Sequence, residues 1–404
     1  MAVYQYVAKN SQGQTVTGST EAASPGDARR ELRDKGLIPI EIKTGAAATA
    51  RQRQKRGKGG RVKLDDLVIF SRQIAVMIRA GLPLLEVLNI LQEQMEKRKF
   101  KETLTVIEHD VKGGASLTEA LQKHQTVFDG FFINMVRAGE ASGMLDSILD
   151  QVAVYLEKSA SLRRKVKSAI TYPAVVTFAA LGITTFLLLT VVPVFKEIFD
   201  GFGAELPFMT RCVLGASDFV KSYWLFILAF LVILSIFTWQ WGKTRSGRFV
   251  LDRLKLRLPV FGPLLLKVAV AKFTRTLSVL IKAGVNILAA LDIVAKTSGN
   301  VVVEEAILKT RVSIQSGETL TRPLVESGVF PPMVTRMIDV GERTGALESM
   351  LAKIADFYED QVDATVNALT SLIEPLLIMF LGVLVGFIVI SMFLPMFKML
   401  EHLG

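Results

Sequence analysis

The sequence predicts a mainly α-helical integral membrane protein with two repeated cytoplasmic helical bundles, three transmembrane helices and a small N-terminal α/β module. Three observations lead to this fold class. Of the 404 residues, 50 % are hydrophobic, which is a high share for a soluble protein. Three apolar runs are long enough to cross a bilayer. Finally, one long segment of the chain repeats itself.

Residues 1–44 predict the small α/β module. The stretches VYQYVAK and TVTGST alternate in polarity on either side of NSQGQ, as the strands of a hairpin do. SPGDARRELRDKG is typical of a capped helix that ends at Gly36, and LIPIEI is typical of a third strand. Because the first residues contain neither a basic segment nor an apolar one, we expect no cleavable signal peptide.

A basic flexible linker is predicted at residues 45–63. This stretch, GAAATARQRQKRGKGGRVK, has seven basic residues and no acidic or aromatic residue, and it carries much of the net charge of +10. We expect it to lie near anionic membrane lipids, since basic segments beside a membrane are attracted to their headgroups. No nucleic acid partner is predicted, because the aromatic side chains that stack on bases are missing here.

Three transmembrane helices are predicted at residues 171–194, 223–241 and 373–395. Their apolar cores are AVVTFAALGITTFLLLTVV, YWLFILAFLVILSIFTWQW and PLLIMFLGVLVGFIVISMFL. About 20 helical residues cross the hydrocarbon layer, so each run is long enough. All three tryptophans of the chain lie at the ends of the second run, where interfacial aromatic residues are expected.

The distribution of lysine and arginine predicts how these helices are oriented. Basic residues are concentrated before the first helix and after the second, in residues 157–168 and 242–275, whereas residues 195–222 have more acids than bases. By the positive-inside rule, the N-terminus is cytoplasmic, whereas residues 195–222 form a loop and residues 396–404 a tail on the opposite side of the membrane, which is the periplasmic side if the membrane is a bacterial inner membrane. The acidic approach to the third helix does not alter this, since acids contribute little to the rule.

The two predicted bundles, residues 64–170 and 242–372, are copies of one unit. Phe70 aligns with Phe273 at an offset of 203 residues, and after a one-residue deletion the alignment continues through the third transmembrane helix. Within each copy, apolar residues recur three and four apart, which is the period of an amphipathic helix. Two parallel copies of a bundle followed by an outgoing helix cannot be joined directly. The second transmembrane helix is therefore the return crossing.

The clearest mark of the duplication is a glycine–glutamate motif. GEASGMLDSILDQVAVYLE, from Gly139, returns as GERTGALESMLAKIADFYE, from Gly341, with 8 of 19 positions identical. We expect a helix–helix corner here, in which the glycines let two backbones approach and Ser142 or Thr344 caps the following helix. The alternative is a corner that faces a partner protein. The candidate residues for either role are Gly139, Glu140, Gly143, Gly341, Glu342 and Gly345.

A second set of candidates lies where each bundle meets its transmembrane helix. Tyr172 precedes Pro173 in the first copy and Glu374 precedes Pro375 in the second, so that proline marks each junction. A carboxylate at the edge of a membrane helix is costly unless it is paired or hydrated. Two interpretations of Glu374 therefore stay open, a specific contact with a neighbouring helix and a hydrated interfacial side chain.

Neither a catalytic site nor a cofactor site is predicted. His109, His124 and His402 are far apart in sequence, Cys212 is the single cysteine, and WGKT at 241–244 lacks the earlier glycine of a phosphate-binding loop. We therefore expect no enzyme, and a separate ATPase must supply the force for any work in which the chain takes part. An alternative divalent-cation site would be formed by Glu140, Asp146 and Asp150.

Several motifs resemble one known family. FSRQIAVMIRAG and FTRTLSVLIKAG open the two copies, GEASGML and GERTGAL mark them, and KVKSAITYP, FPPMV, IADFYEDQVD and SLIEPLL add to the likeness. Together they make essentially the whole chain similar to the inner-membrane platform proteins of type IV pilus and type II secretion machines, the PilC/GspF family. The pilus branch is the closer likeness, through GERTGALESMLAKIADFYEDQVD and SLIEPLLIMFLG.

The resemblance implies a non-enzymatic scaffold in the bacterial inner membrane that needs no cofactor. Its implied partners are a hexameric pilus assembly ATPase, a retraction ATPase, pilin subunits, inner-membrane alignment proteins and further copies of itself as a homo-oligomer. A type II secretion platform that drives a pseudopilus is the alternative within the family. Outside the family, the alternative is a repeat-built transporter or receptor, although transport would predict polar or broken helices at mid-membrane.

Overall fold

The chain is helical apart from one small sheet in the part that the computed structural model describes. The described residues are 2–9, 15–22, 25–44, 62–202, 206–259 and 261–403. The expected turn at NSQGQ and most of the expected linker at 45–63 lie outside them. The chain divides into two compact units, Met1–Val62 with Gln92–Thr105 and Lys63–Leu91 with Val106–Gly404.

The N-terminal module is a three-stranded antiparallel sheet with one helix. β1 (Ala2–Lys9) pairs with β2 (Thr15–Ala22), and on its other edge with β3 (Ile38–Thr44). The strand order is therefore β2-β1-β3. α1 (Pro25–Asp34) lies between β2 and β3 in sequence. The paired strands, the helix and the third strand that the sequence predicts are confirmed.

Copy 1 of the bundle surrounds an aromatic core. Phe70 has its ring centroid 5.7 Å from that of Phe128 and 6.3 Å from that of Phe132, and all three side chains are buried. Rings at such separations pack well and bury a large apolar area. The helices of this copy are α2 (Leu64–Arg79), α3 (Leu84–Gln94), α4 (Arg98–Lys112), α5 (Leu117–Gln122), α6 (Gly130–Ser142) and α7 (Leu145–Phe186).

The chain then makes a helical hairpin before it enters copy 2. A π-helical segment (Leu187–Val191) joins α7 to α8 (Val192–Phe202), and α9 (Phe208–Trp241) runs back. Val192 of α8 is fully buried against Val213 of α9 and Met392 of the last helix. Residues 195–222 were expected to be a loop, and this expectation is wrong for most of the segment. Apolar side chains on these helices face one another, so the chain stays helical.

Copy 2 repeats the aromatic core. Phe273 lies with its ring centroid 4.9 Å from that of Phe330, and these residues align with Phe70 and Phe128 of copy 1. The helices of this copy are α10 (Arg245–Arg257), α11 (Phe261–Lys282), α12 (Ile287–Thr297), α13 (Val301–Gln315), α14 (Thr321–Glu326), α15 (Pro332–Thr344) and α16 (Leu347–Leu403).

Three helical stretches are long and apolar enough to cross a membrane, as predicted: Leu145–Ile198, Phe208–Trp241 and Leu347–Pro395. Two of them are not separate from the bundles. α7 and α16 begin at the bundle corners, and the chain stays helical from there through each apolar segment, by way of the π-helical segment after α7. α16 also continues through the expected C-terminal tail to Leu403.

Proline lies at each expected junction without interrupting the helix. Pro173 lies inside α7, while Pro375 and Pro395 lie inside α16. Proline removes one backbone hydrogen bond, but the apolar residues that follow Pro173 and Pro375 favour continued helix because their backbone groups must stay paired in lipid. Each bundle is thus joined to its membrane helix by continuous helix, with no linker.

Candidate functional site

The glycine–glutamate motif forms the corner between α6 and α7 in copy 1. Gly143 follows α6 with φ of 69°, a left-handed conformation that favours glycine. A Cβ atom added to Gly139 would lie 3.1 Å from the Cβ atom of Ile148 and 3.2 Å from the Cα atom of Leu145. These distances are tighter than ordinary van der Waals contact, so Gly139 allows the two helices to approach closely.

Copy 2 builds the same corner between α15 and α16. Gly345 has φ of 72°, and a Cβ atom added to Gly341 would lie 3.0 Å from the Cα atom of Leu347. The Cβ atom of Met350 would be 3.1 Å away. The duplication has therefore kept both the sharp turn and the close approach of the helices.

Glu140 binds the start of α5 rather than solvent. Its carboxylate accepts hydrogen bonds from the backbone N–H of Leu117 at 2.7 Å and from that of Thr118 at 3.0 Å. It also accepts one from the hydroxyl of Thr118. The first N–H groups of a helix have no partner within the helix, so Glu140 acts as a cap supplied by another helix.

Glu342 has the same role in copy 2, with fewer hydrogen bonds. It accepts from the backbone N–H of Leu320 at 2.8 Å and from the hydroxyl of Thr321 at 3.3 Å. α14 has no side-chain cap of its own at Leu320, so the carboxylate of Glu342 takes that place. Both glutamates therefore bind the backbone of their own bundle. Sequence spacing could not show this, since each capped helix begins more than twenty residues before its glutamate.

The expected caps at Ser142 and Thr344 are wrong. Both residues are the last of the helix before the corner, α6 and α15 respectively. The hydroxyl of Ser142 donates to the carbonyl oxygen of Ala138 at 2.8 Å, and that of Thr344 donates to the carbonyl oxygen of Val340 at 2.7 Å. The glycine that follows ends the helix one residue later, so each hydroxyl still points back along its own helix.

A half-buried arginine in copy 1 holds α2 against α7. The guanidinium of Arg72 donates to both carboxylate oxygens of Glu157, each at 2.6 Å, and to Asp150 at 3.0 Å. This two-pronged geometry is specific to arginine and carboxylate. The hydrogen bonds from Arg72 lower the pKa of Glu157, against the smaller opposing effect of burial. We call this arrangement the Arg–Glu clamp.

Copy 2 contains the aligned Arg–Glu clamp, between α11 and α16. Arg275 donates to Glu359 at 2.8 Å and also to Asp356. Burial raises the pKa of Asp356, but the hydrogen bonds from Arg275 and Lys158 outweigh it and the net pKa is lowered. Arg275 is the more enclosed arginine, with 14 % of its side chain exposed against 36 % for Arg72.

Side chains from the two copies also meet directly. The ammonium of Lys158 in copy 1 lies 3.1 Å from Asp356 and 3.2 Å from Glu359 in copy 2, and therefore joins the second clamp. The hydroxyls of Tyr155 and Thr276 are hydrogen-bonded at 3.0 Å. Because the bundles contact each other, we expect them on the same side of the membrane, with α9 as the return crossing.

The residues at the expected junctions lie far from the corners. Tyr172 and Pro173 are more than seven turns along α7, about 40 Å from its first residue at 1.5 Å per residue. Tyr172 is 41 % exposed, and Glu374, at the aligned position of α16, is exposed as well. Pro375 is also exposed. The structure thus separates the two sets of candidate residues, and Glu374 makes no ion pair with any described residue.

The described residues contain no group of three or more His, Cys, Asp or Glu side chains that could hold a metal ion. Two of the acids considered for a cation have other partners, since Glu140 caps α5 and Asp150 pairs with Arg72 and Arg79. In the WGKT stretch, Thr244 caps α10 by accepting a hydrogen bond from the backbone N–H of Gly247 at 3.1 Å. This segment is a turn between two helices.

Comparison with known families gives two matches to one family model and one match to a second. The model described as Type II secretion system (T2SS), protein F, matches residues 70–193 and again residues 273–395. The two matches cover the two copies of the duplication, each with its membrane helix. The model for the Type II secretion system protein F, N-terminal domain, matches residues 1–43.

Curated relatives are similar over essentially their whole lengths. A Type IV pilus assembly protein PilC of Thermus thermophilus is 50 % identical and covers 100 % of both chains. A protein of the same name from Myxococcus xanthus is 44 % identical, over 98 % of this chain and 95 % of its own. A Type II secretion system protein F of Vibrio cholerae is 33 % identical, over 99 % and 98 %. This chain therefore belongs to the type II secretion system protein F family.

Proposed function

We propose that this chain is a non-enzymatic platform for type IV pilus assembly in the bacterial inner membrane. The names of the relatives at 50 % and 44 % identity support the pilus assignment. The structural observation that supports the proposal is that α7 and α16 each start within a bundle and lead into an apolar helical stretch long enough to cross a membrane. The N-terminus is cytoplasmic and the C-terminus periplasmic, in line with the concentration of basic residues beside the bundles.

The continuous helices suggest how the platform works. A cytoplasmic hexameric assembly ATPase turns or tilts the bundles, and α7 and α16 carry this movement to the membrane, where pilin subunits enter the fibre. A retraction ATPase acts on the same bundles when subunits are extracted. The chain works as a homo-oligomer beside inner-membrane alignment proteins, and the nucleotide chemistry belongs to the ATPases.

The Arg–Glu clamps and the contacts between copies support this mechanism. To transmit movement, the helices within each bundle must keep their positions relative to one another. Each clamp ties the first core helix of its copy, α2 or α11, to the helix that enters the membrane. Lys158 ties the copies together. Partly buried arginines that donate several hydrogen bonds to carboxylates hold a defined geometry better than single surface pairs do.

A type II secretion platform is the second candidate function. The observation that favours it is the 33 % identity with the Vibrio cholerae protein F, which extends over 99 % of this chain. The two functions share an architecture and differ in the fibre that is built. The pilus assignment has the support of the more similar relatives.

Deletion of the gene in the host bacterium tests the assignment. We expect loss of surface pili by electron microscopy, restored by the wild-type gene, with secretion of folded proteins unchanged. Loss of secretion with normal pili would support the type II alternative. Cross-linking followed by purification of the chain should also recover an assembly ATPase and a pilin, and recovery of neither would contradict the proposal.

Glu374 is proposed to contact a polar group of a neighbouring membrane helix, since it is exposed at the expected membrane edge. Glu374→Gln removes the charge while keeping the size of the side chain. We expect fewer pili at an unchanged protein level. Asp360→Asn, on the same helix and equally exposed, is the matched control. Wild-type piliation by the Glu374→Gln protein would leave Glu374 a hydrated side chain only.

A further inference from the structure

A large cleft lies between the two copies, on the bundle side of the first membrane helix. Its volume is about 1100 Å³. Copy 1 contributes the start of α6 and one face of α7, and copy 2 contributes α11, α12 and the turn after it at Gly299. Pockets that bind small molecules commonly measure about 300–1000 Å³, so this cleft has room for a ligand of nucleotide or phospholipid-headgroup size.

Four cations line the cleft and outnumber its two acids. The cations are Arg163, Lys167, Lys272 and Lys296, and none of them forms an ion pair within the described part of the chain. The two acids have other partners. Asp129 accepts a hydrogen bond from the backbone N–H of Phe132, and Asp292 pairs with Arg311 at 2.9 Å.

Lys272 is the most enclosed of the four cations, and the other three are exposed at the rim. Burial lowers the pKa of the Lys272 ammonium; the carboxylate of Asp129 raises it and the guanidinium of Arg163 lowers it further. An ammonium held in this way is stabilised by an anion that enters the cleft. An anion between Lys272 and Arg163 would also relieve the repulsion between these two cations.

The duplication shows that the basic lining is not part of the common bundle structure. No cation of the cleft aligns with a basic residue in the other copy. Lys272 aligns with Ile69, and Lys167 aligns with Leu369. The remaining two, Arg163 and Lys296, align with Thr365 and Glu93. The features that the fold itself requires, such as the corners and clamps, are present in both copies. The four cations have no basic counterparts at aligned positions, and all of them line the cleft between the copies.

The rest of the wall is apolar. Leu162 and Val166 of α7 face Val268 of α11, and Leu156 and Ile293 complete this side. A mixed lining of this kind suits a ligand with a charged end and an apolar or aromatic part. A free inorganic anion would use only the cations and leave the apolar wall wet.

We propose that the cleft binds an organic phosphate, with the phosphate group between Lys272 and Arg163 and the apolar part of the ligand against Leu162, Val166 and Val268. Two sources can supply this chemistry. Lys167 lies five residues before Tyr172, at the expected membrane edge, so the headgroup of an anionic phospholipid is within reach. A soluble nucleotide can reach the same cleft from the cytoplasm.

Binding to the purified full-length chain tests the proposal and distinguishes the sources. One arm measures retained phospholipid by native mass spectrometry after incorporation into nanodiscs of phosphatidylglycerol and phosphatidylcholine. The other arm measures binding of adenosine triphosphate by isothermal titration calorimetry in phosphatidylcholine nanodiscs, with inorganic phosphate as the comparison. We expect one saturable site per chain in one of the two arms, and weaker binding of inorganic phosphate.

Variants connect the binding to the cleft. Lys272→Gln should weaken binding about tenfold or more, as expected for loss of one charge-assisted hydrogen bond. Lys282→Gln, at the exposed end of the same helix, is the matched control and should leave binding unchanged. If Lys272→Gln lowers the yield of folded protein, the rim double variant Arg163→Gln with Lys167→Gln replaces it.

Three outcomes would overturn the proposal: no saturable binding in either arm, equal weakening by the cleft variant and the control, or inorganic phosphate binding as tightly as the organic ligands. The second would indicate general attraction of anions to a basic protein. Pilus counts do not enter this test, so its outcome is independent of the proposed assembly function.

Discussion

The two copies of the bundle differ less in their interiors than in the surfaces they turn toward each other. Both copies have the glycine corner, the glutamate that caps a short helix, the arginine clamp and the phenylalanine pair in the core. These features sit at aligned positions. The interior of the bundle therefore constrains its sequence far more tightly than the outside does.

The surfaces between the copies have diverged. Lys158, which joins the clamp of copy 2, aligns with Asp360, and Tyr155, which bonds Thr276, aligns with Phe357. A duplicated bundle packed against its twin cannot use identical surfaces on both sides unless the pair is symmetric. The differences show that the copies meet in an asymmetric interface with its own charges and its own cleft.

The largest effect is expected when a bulkier side chain replaces the glycine at each helix–helix corner. Gly139→Val and Gly341→Val should each destabilise the protein by about 3 kcal/mol, because the added atoms meet backbone that cannot move away. Thermal unfolding in detergent measures the loss. Gly130→Val is the matched control, since a Cβ atom there meets nothing within 4 Å. A corner variant as stable as this control would show that the helices do not approach as closely as described.

Removal of the capping glutamates should have the next largest effect on stability. The loss should be larger in copy 1 than in copy 2. Glu140→Ala leaves two backbone N–H groups without a partner, whereas Glu342→Ala leaves one. We expect losses of about 2–3 kcal/mol and about 1–2 kcal/mol respectively. Urea unfolding in detergent gives the order. Equal losses, or a larger loss at Glu342, would contradict the described hydrogen bonds.

The Arg–Glu clamps should also contribute unequally to stability, but here the larger loss is expected in copy 2. Arg275→Lys should cost about 1–2 kcal/mol and Arg72→Lys less than about 1 kcal/mol, because Arg275 is the more enclosed and lysine cannot reproduce its hydrogen bonds to both Glu359 and Asp356. Urea unfolding of the two variants under identical conditions provides the comparison. A larger loss for Arg72→Lys would mean that the exposed clamp is the stronger one.

The clamp of copy 1 also predicts a pH dependence. The pKa of Glu157 is lower in the folded protein than in the unfolded chain, where about 4.3 is usual. Its stabilising contribution is therefore complete above the unfolded value and is lost as the pH falls through the folded value. Arg72→Met should make the unfolding temperature less sensitive to pH between about 5 and 3. An unchanged pH profile would show that Glu157 does not depend on Arg72.

The smallest expected effect belongs to the ion pairs between the copies. Lys158→Met should destabilise the protein by less than about 1 kcal/mol, since Lys158 and its partner Asp356 are both well exposed. The loss should shrink further in high salt, which screens exposed charges. Unfolding temperatures in low and high salt measure both. A large loss that is independent of salt would mean that the lysine is buried in the interface.

Much of this fold could be predicted from the sequence because its signals are local or periodic. The three apolar runs, the alternation in VYQYVAK and the repeat of GEASG at Gly341 each identify an element without reference to distant residues. The junctions could not be predicted in this way. Proline usually kinks or ends a helix in water, but α7 continues through Pro173 and α16 through Pro375, because the apolar residues that follow each proline must keep their backbone groups paired in lipid.

The roles of the candidate residues depended on contacts that sequence does not show. Its repetition makes Glu140 a candidate, yet its partner Leu117 is 23 residues away and belongs to another helix. Arg72 and Arg275 occupy aligned positions, but sequence does not connect either arginine with its acid, more than 80 residues later. Such pairings follow only from the packing of complete helices.

We propose that each bundle moves its membrane helix through unbroken helix. An insertion of Gly-Gly-Ser-Gly after Thr171 tests it most directly, with a seven-residue alanine-rich helical insertion at the same place as the control. Seven residues are close to two full turns, so the control nearly preserves the face of the helix. With both proteins present in the membrane at the wild-type level, the account predicts that the flexible insertion abolishes surface pili and the helical one retains them. Normal pili with the flexible insertion would contradict it.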